Sequence, residues 1–285
     1  MGASSRHVKS NDPAPKKRLG QHFLRDKGVM DRMVRWIGPD SNDLFVEIGA
    51  GDGSLSVRLA PKVAGLIAIE MDADCIPLLE KNLEAFEDAA VVAGDILKLD
   101  LGVLVHSRLI SGRILRFAGN LPYNISTAIV EKVFRCGLPV RDMVFMVQKE
   151  VAQRITAQPG SRQYGYLSVF CQHRSSVRMG MTVSPACFVP RPQVYSSIVS
   201  FHPKAGPADP DFESGFETLA KAAFAYRRKT LENSLRRHPS IGRFVQALLD
   251  QSGIDGSRRA EQLSVREYED LTHVMQDHFR IAGDE

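Results

Sequence analysis

The sequence has little cysteine, no clustered histidine and no long apolar run. With no stretch of about 18 uninterrupted apolar residues, a membrane-spanning helix is excluded. The four cysteines, Cys75, Cys136, Cys171 and Cys187, are far apart and form no C-x-x-C pair, so they read as reduced thiols in a cytoplasmic protein. The eight histidines are scattered without H-x-x-x-H spacing, and no metal site is expected. Met1 to Pro15 is polar and lacks the apolar centre of a secretory signal, so 1–15 is predicted to be a disordered tail. No long apolar heptad points to obligate dimerisation, and a monomer is expected.

What is present is a chain of 285 residues, 44% hydrophobic, long enough to bury a substantial core as one large domain plus a smaller one. Its net charge of +4 is unevenly spread. Residues 1–35 carry nine Lys and Arg against three acids, and residues 221–243 carry seven against one. The stretches 36–220 and 244–285 are both net acidic. Two cationic blocks suit an anionic polymer as partner.

From residue 44 short β-rich runs alternate with helical patterns. Leu44–Ile48, Gly65–Ile69, Ala90–Ala93, Ile114–Phe117 and Asp142–Val147 read as strands, with helices after Gly53, over about 74–86 and over about 126–135. Such alternation predicts an α/β fold, a mostly parallel sheet with helices on both faces, binding its ligand at the carboxyl ends of the strands. Ser196–Phe201 reads as a closing strand. The Pro/Gly-rich segment 202–210 then predicts a boundary near residue 205, between a sheet domain over 16–205 and a small all-helical domain over 206–285.

Three strand ends carry candidate ligand groups. Gly49-Ala-Gly51-Asp-Gly53 permits a tight turn and close backbone approach, but Ser54 stands where a dinucleotide fingerprint wants glycine or alanine. Glu70, about 20 residues on, suits the hydroxyls of a ribose, and Asp95 an adenine edge. Together they indicate a nucleoside site. A sulfonium-bearing nucleoside fits better than a dinucleotide, because nothing supplies a pyrophosphate cradle. At a fourth strand end, Asn120-Leu121-Pro122-Tyr123 offers a side-chain amide, a carbonyl with no neighbouring donor and an aromatic ring, the groups needed to hold a planar exocyclic amine.

The ordered set Lys17–Leu24, Phe45–Gly53, Ile69–Asp72, Gly94-Asp95, Asn120–Tyr123, Phe188–Pro192 and Arg227–Leu231 resembles the ribosomal RNA adenine N6,N6-dimethyltransferases, most of all the bacterial small-subunit group, over about residues 16–270. The resemblance implies a Rossmann-like S-adenosylmethionine-dependent methyltransferase sheet with a helical C-terminal domain contacting RNA. It further implies that His22, Leu24, Gly49, Glu70, Asp95 and Asn120 contact S-adenosylmethionine. Tyr123 and Phe188 would sandwich the target adenine, although Phe188 reads equally well as a core aromatic. The Asn120 oxygen and the carbonyl of Leu121 or Pro122 would accept the two N6 hydrogens. Lys16, Lys17 and Arg18, with Arg227, Arg228, Lys229, Arg236 and Arg237, would hold phosphates. The implied substrate is a partly assembled small ribosomal subunit, in which two adjacent adenines near the RNA 3′ end receive four methyls.

Three positions depart from the family's usual residues: Ala50, Asp52 and Tyr195. A large-subunit RNA methylase conferring antibiotic resistance shares the Asn-Leu-Pro-Tyr type of motif, but the Arg-Arg-Lys-Thr-Leu segment and extended C-terminal region favour the small-subunit group. Intact Glu70, Asp95, Asn120 and Tyr123 argue against a non-catalytic RNA-binding assembly or transcription factor. Ser54 argues against a nicotinamide dehydrogenase.

Overall fold

Short runs of Val, Ile, Leu and Phe build the sheet. The computed structural model describes residues 16, 19–109, 112–204 and 209–283, with side chains to His278. The predicted tail over 1–15, Lys17 and Arg18 lie outside the described residues.

In chain order the elements are β1 Phe23–Leu24, α1 Lys27–Ile37, β2 Asp43–Ile48, α2 Ser56–Leu59, β3 Gly65–Glu70, α3 Ile76–Leu83, β4 Ala89–Ala93, α4 Leu101–Leu109, β5 Ile114–Asn120, α5 Ser126–Phe134 and β6 Val140–Gln148. There follow α6 Lys149–Ile155, α7 Tyr166–Arg174, β7 Ser175–Val183, β8 Phe188–Val189 and β9 Ser196–Pro203, then α8 Pro210–Phe224, α9 Leu231–Leu235, α10 Val245–Ser252 and α11 Val265–Gly283. Seven strands form one sheet in the order β4-β3-β2-β5-β6-β9-β7, and β1 pairs with β8 in a small antiparallel ribbon. The strands from β4 to β6 run parallel. Every residue of β2 and β3 is buried, which requires cover on both faces of the sheet and accords with the α/β prediction.

The strand order reverses between β2 and β5, and a crevice opens at such a switch point. Two glycines shape it. Gly49, at the end of β2, has φ +72°, a left-handed conformation in which its N–H donates to the Ile69 carbonyl (3.0 Å). A Cβ on Gly119 would lie 2.3 Å from the Ile48 carbonyl oxygen, so only glycine lets β5 approach β2 this closely above the crevice.

The opposite end of the same strands is locked by a buried charge cluster. Arg116 of β5 donates from Nε to Asp142 (2.8 Å), from Nη1 to Asp43 (2.6 Å) and the Gly38 carbonyl (2.9 Å), and from Nη2 to the Ile37 carbonyl (2.6 Å). Its guanidinium lies 4.8 Å from the centroid of the Phe45 ring. All three charged side chains are buried, so β2, β5 and β6 are tied by hydrogen bonds that water cannot replace.

The chain divides into two compact units, and the division is not the single cut predicted near residue 205. Residues up to Gln148 group with Gly180–Ile198, whereas Lys149–Met179 groups with residues from Val199 onward. The first unit has a core around Phe45, Leu59, Leu79 and Ile198. The second has its own, around Tyr164, Phe216, Leu235, Leu248 and Tyr268. Helices α6 and α7 therefore fall in the second unit, and Val169 of α7, with Ala157 and Tyr164 of the segment between the two helices, packs in its core. Among the described residues no helix is long and apolar enough to cross a membrane.

Candidate active site

A cavity of about 230 Å³ opens at the switch point, lined by the residues that end β2, β3, β4 and β5 and by the segment 19–24. His22, Leu24, Gly49, Glu70, Asp95, Asn120, Leu121 and Tyr123 all line it. Glu70 and Asn120 are the last residues of β3 and β5, Gly49 and Asp95 stand in the turns that follow β2 and β4, and Leu121 and Tyr123 in the turn after β5.

Glu70 forms one wall of the cavity. One carboxylate oxygen accepts the N–H groups of Met71 (2.8 Å) and Asp72 (2.7 Å), and the other accepts that of Gly51 (2.7 Å). Burial pushes its pKa up from the ordinary carboxylate value. These bonds fix the carboxylate while leaving a lone pair on Oε2 for a hydroxyl. Asp95 caps its own turn through the Leu97 N–H (2.9 Å). Met71 and Leu97, both more exposed than large apolar residues usually are, line the cavity with Ile96 and give it apolar surface suited to a flat ring. Sequence reasoning passed over these three; the signal was an apolar residue directly following the acid at each strand end.

The segment 19–24 lines the cavity, and Lys16, Gln21 and Arg25 hold it at several points. Lys16 pairs with Asp72 and with Asp74 (2.7 Å), Gln21 Nε2 donates to Asp72 (2.9 Å), and Arg25 pairs with Asp52. Asp52, one of the departures from the family pattern, thus anchors the glycine turn to this segment and also accepts the Ser54 N–H (3.1 Å). Asp72, Gln21 and Arg25 were not among the predicted site residues. Their pairing depends on contacts 27 to 56 residues apart, which no local pattern displays.

The second half of the cavity centres on Asn120. Its Nδ2 donates to the His22 carbonyl (2.9 Å), which turns Oδ1 away from that partner; Oδ1 is buried and, among the described residues, has no hydrogen-bond partner. A buried acceptor without a donor is costly, and Oδ1 is open to a donor that enters the cavity. Next to it, the Pro122 carbonyl is already used by the Ile125 N–H (3.2 Å) and the Tyr123 carbonyl by the Ser126 hydroxyl (3.4 Å). Leu121 donates its N–H to Met146 (3.0 Å), and no described residue donates to its carbonyl. Of the two carbonyls the sequence left open, Leu121 is the one that no described residue already engages.

Tyr123 donates to or accepts from the Ser196 hydroxyl, and burial raises its pKa, so the phenol stays protonated. Its ring meets that of His22, centroids 5.0 Å apart and tilted by 33°, while His22 Nδ1–H donates to the Pro190 carbonyl (2.7 Å). Phe188, predicted to form the other side of a sandwich, does not reach the cavity: it is 2% exposed, pairs with Leu24 in the β1–β8 ribbon and packs in the core. The ring facing Tyr123 in this structure is His22.

The site also contains an unused acid. Glu47 of β2 is fully buried, accepts the Ser56 hydroxyl, and is pushed up to about 8 by burial. In the unfolded chain it titrates near about 4.3. The fold therefore binds this proton more tightly than the unfolded chain does, and the group's contribution to stability is complete at low pH and declines as pH rises toward 8. Relative to Glu47→Gln, which cannot ionise, the parent's thermal midpoint is expected to fall between pH 5.5 and 8.5. Parallel pH curves for the two proteins would show that Glu47 does not behave this way.

The predicted RNA-contacting residues are not equivalent. Lys16 is committed to Asp72 and Asp74. Arg227 donates to the carbonyls of Arg162 (3.1 Å) and Tyr164 (3.3 Å) and pairs with Glu261 (3.3 Å), and Arg236 pairs with Glu232. Arg228 and Lys229 are exposed with no partner among the described residues. No group of three or more potential metal ligands occurs among the described residues.

The donor set fits S-adenosylmethionine: a fixed carboxylate for a ribose, an apolar cleft for a flat ring, and glycine turns admitting a backbone-close ligand. Comparison with known proteins identifies the family. The model of the family described as ribosomal RNA adenine dimethylase matches residues 14–277. The ribosomal RNA small subunit methyltransferase A of Saccharophagus degradans is 39% identical over 272 residues, 94% of this chain and 98% of that protein. Two solved structures share the fold, each at 23% identity. A dimethyladenosine transferase from Plasmodium falciparum has a TM-score of 0.75 over 90% of this chain and 98% of its own. The 23S rRNA methyltransferase ErmE has a TM-score of 0.68 over 89% and 99%. From its strand-end motifs to its helical C-terminal region, the chain belongs to the ribosomal RNA adenine dimethylase family.

Proposed function

We propose that the chain transfers methyl groups from S-adenosylmethionine to the N6 amino groups of two adjacent adenines in a 3′-end hairpin of small-subunit ribosomal RNA, on a partly assembled small subunit in the cytoplasm. The observation that carries this reading is the buried, unpartnered Asn120 Oδ1 beside the unused Leu121 carbonyl. Two acceptors at one point match the two hydrogens of an exocyclic amine.

The chemistry follows from that amine. The N6 lone pair is delocalised into the purine ring, so a general base would gain little. Accepting both N–H bonds instead favours a tetrahedral nitrogen whose lone pair points across the cavity. Bound S-adenosylmethionine supplies an electrophilic methyl on its sulfonium sulfur. The rest of the rate comes from fixed dipoles and alignment. Tyr123, held by Ser196 and braced by His22, offers an aromatic face to a base that has left its stack. Transfer of the methyl would break its bond to sulfur and leave a neutral thioether; the methylated N6, now cationic and strongly acidic, gives one proton to water, so one N–H remains, and a site able to rotate the monomethylated base can add the second methyl.

The small-subunit substrate is favoured by the name of the 39% identical relative, whereas the two solved structures, one named for the large-subunit RNA, speak only to fold. The test is transfer of labelled methyl groups to small-subunit particles from cells lacking this protein, with naked large-subunit RNA in parallel. Dimethyladenine confined to the small-subunit RNA is expected. Label only on large-subunit RNA, or on neither, would contradict the proposal.

A further inference from the structure

The turn between α8 and α9 presents an aromatic ring that the methyl-transfer site does not use. Helix α8 ends at Phe224, and Thr230 caps α9 by accepting the Asn233 N–H (3.3 Å), so the five residues between, Ala225 to Lys229, are all exposed. Tyr226 closes this turn, its carbonyl accepting the Lys229 N–H (2.8 Å). The residue is 45% exposed, one of few large apolar side chains so open to water. It is not bare: the Arg237 guanidinium carbon lies 5.0 Å from the ring centroid.

Arg237 reaches that position from the residues just after α9, so a helix end braces the ring. A cation over one face costs the guanidinium little solvation and restricts the tyrosine's rotamers. The ring is thus pre-ordered for a flat partner, and ordering is part of what weak binding sites lack. Immediately beside it stand Arg228 and Lys229, exposed and unpartnered among the described residues. A braced aromatic ring flanked by unpaired cations is the combination that holds single-stranded nucleic acid, with bases on rings and phosphates on cations. Charge alone would suit a duplex backbone equally well. The ring has a use only where a base is unpaired.

We propose that Tyr226, braced by Arg237, is a stacking platform for an unpaired nucleotide of the RNA, with Arg228 and Lys229 holding the adjoining phosphates. This rests on the reading of the chain as an enzyme acting on small-subunit RNA. It adds that the helical unit grips a looped-out base as well as the phosphate backbone.

Stacking and phosphate contact differ in their response to salt, because only the second releases counterions. Affinity of the full-length protein for small-subunit particles from cells lacking it is measured across a range of potassium chloride, for the parent and for Tyr226→Ala, Tyr226→Phe and the Arg228→Ala/Lys229→Ala pair. Tyr226→Ala is expected to weaken binding by about five- to a hundredfold at every salt concentration with the slope of log affinity against log salt unchanged. Tyr226→Phe, which keeps the ring, should bind within about twofold of the parent. The double basic variant should flatten the slope by about two. Unchanged S-adenosylmethionine affinity in each variant confirms that its fold is intact.

Parental affinity in Tyr226→Ala, an equal loss in Tyr226→Phe, or a loss appearing as a change of slope would each overturn the platform. If the basic pair alters the slope while Tyr226→Ala does not weaken binding, the platform fails and the RNA reading stands. If no variant affects binding, this turn does not meet RNA and the platform fails, while the parent's binding to the particles leaves the small-subunit reading standing; a parent that binds no particles would contradict that reading instead.

Discussion

Asn120→Ala should lower the single-turnover rate of methyl transfer by about a hundred- to a thousandfold, the range seen when one preorganised polar contact to a reacting group is removed. The substitution deletes the Oδ1 acceptor and also the Nδ2 bond to the His22 carbonyl. Losing that single neutral hydrogen bond costs about 1 kcal/mol of stability, or a few degrees in thermal midpoint. The fall in rate is far larger than so small a loss of folded protein could produce. Asn120→Asp separates the two roles. It keeps an oxygen toward the cavity but sets a second oxygen against the His22 carbonyl, so it should recover only part of the rate. Full activity in Asn120→Ala would remove the amide from the mechanism.

Arg116→Met is expected to destabilise the first unit by about 3–5 kcal/mol, since it strips the charged partner from buried Asp142 and leaves buried Asp43 only Arg141, 3.9 Å away. Asp43 and Asp142 would each lose a charge-assisted bond, and the carbonyls of Ile37 and Gly38 would lose their donor. The methionine side chain still covers Phe45, so lost packing contributes little. Calorimetry should show the first unit's midpoint falling by about 6–20 °C. A midpoint within about 2 °C of the parent's would mean that the cluster is solvated and adds little. Adding Asp142→Asn to Arg116→Met should restore part of the loss, because it removes one of the stranded charges.

The contrast between these residues shows what a sequence displays. Gly49, Glu70, Asp95 and Asn120 each end a short apolar run, so their placement at one rim follows from the parallel sheet alone. Arg116 is visible as a charge inside the run Ile114–Phe117, but its partners are not. Asp43 and Asp142 meet it only because β2, β5 and β6 align their starting ends, a register set by tertiary packing. Phe188 was ambiguous for the same reason: whether a ring beside a proline faces a cavity or a core depends on a strand pairing with a residue far away in the chain, Phe188 with Leu24.

The division of the chain was less legible than the site. The segment 202–210 has the composition of a linker, and it does separate β9 from α8. What composition cannot reveal is that α6 and α7 group with the later unit and that α7 packs in its core. Leu167 to Cys171 of α7 are buried in unbroken succession, so the helix lacks the one-sided pattern by which helices are recognised. Strand β7, by contrast, was open to detection: Val177, Met179, Met181 and Val183 alternate with Arg178 and Thr182 in a period of two.

Everything proposed for the chemistry converges on the nitrogen that Asn120 and Leu121 are built to receive. A crystal structure of the protein with S-adenosylhomocysteine and the hairpin RNA tests this most directly. The account expects the target N6 within about 2.7–3.2 Å of both Asn120 Oδ1 and the Leu121 carbonyl oxygen, with its free side toward the cofactor's sulfur. An adenine bound in the cavity with N6 beyond hydrogen-bond reach of Asn120 would contradict it.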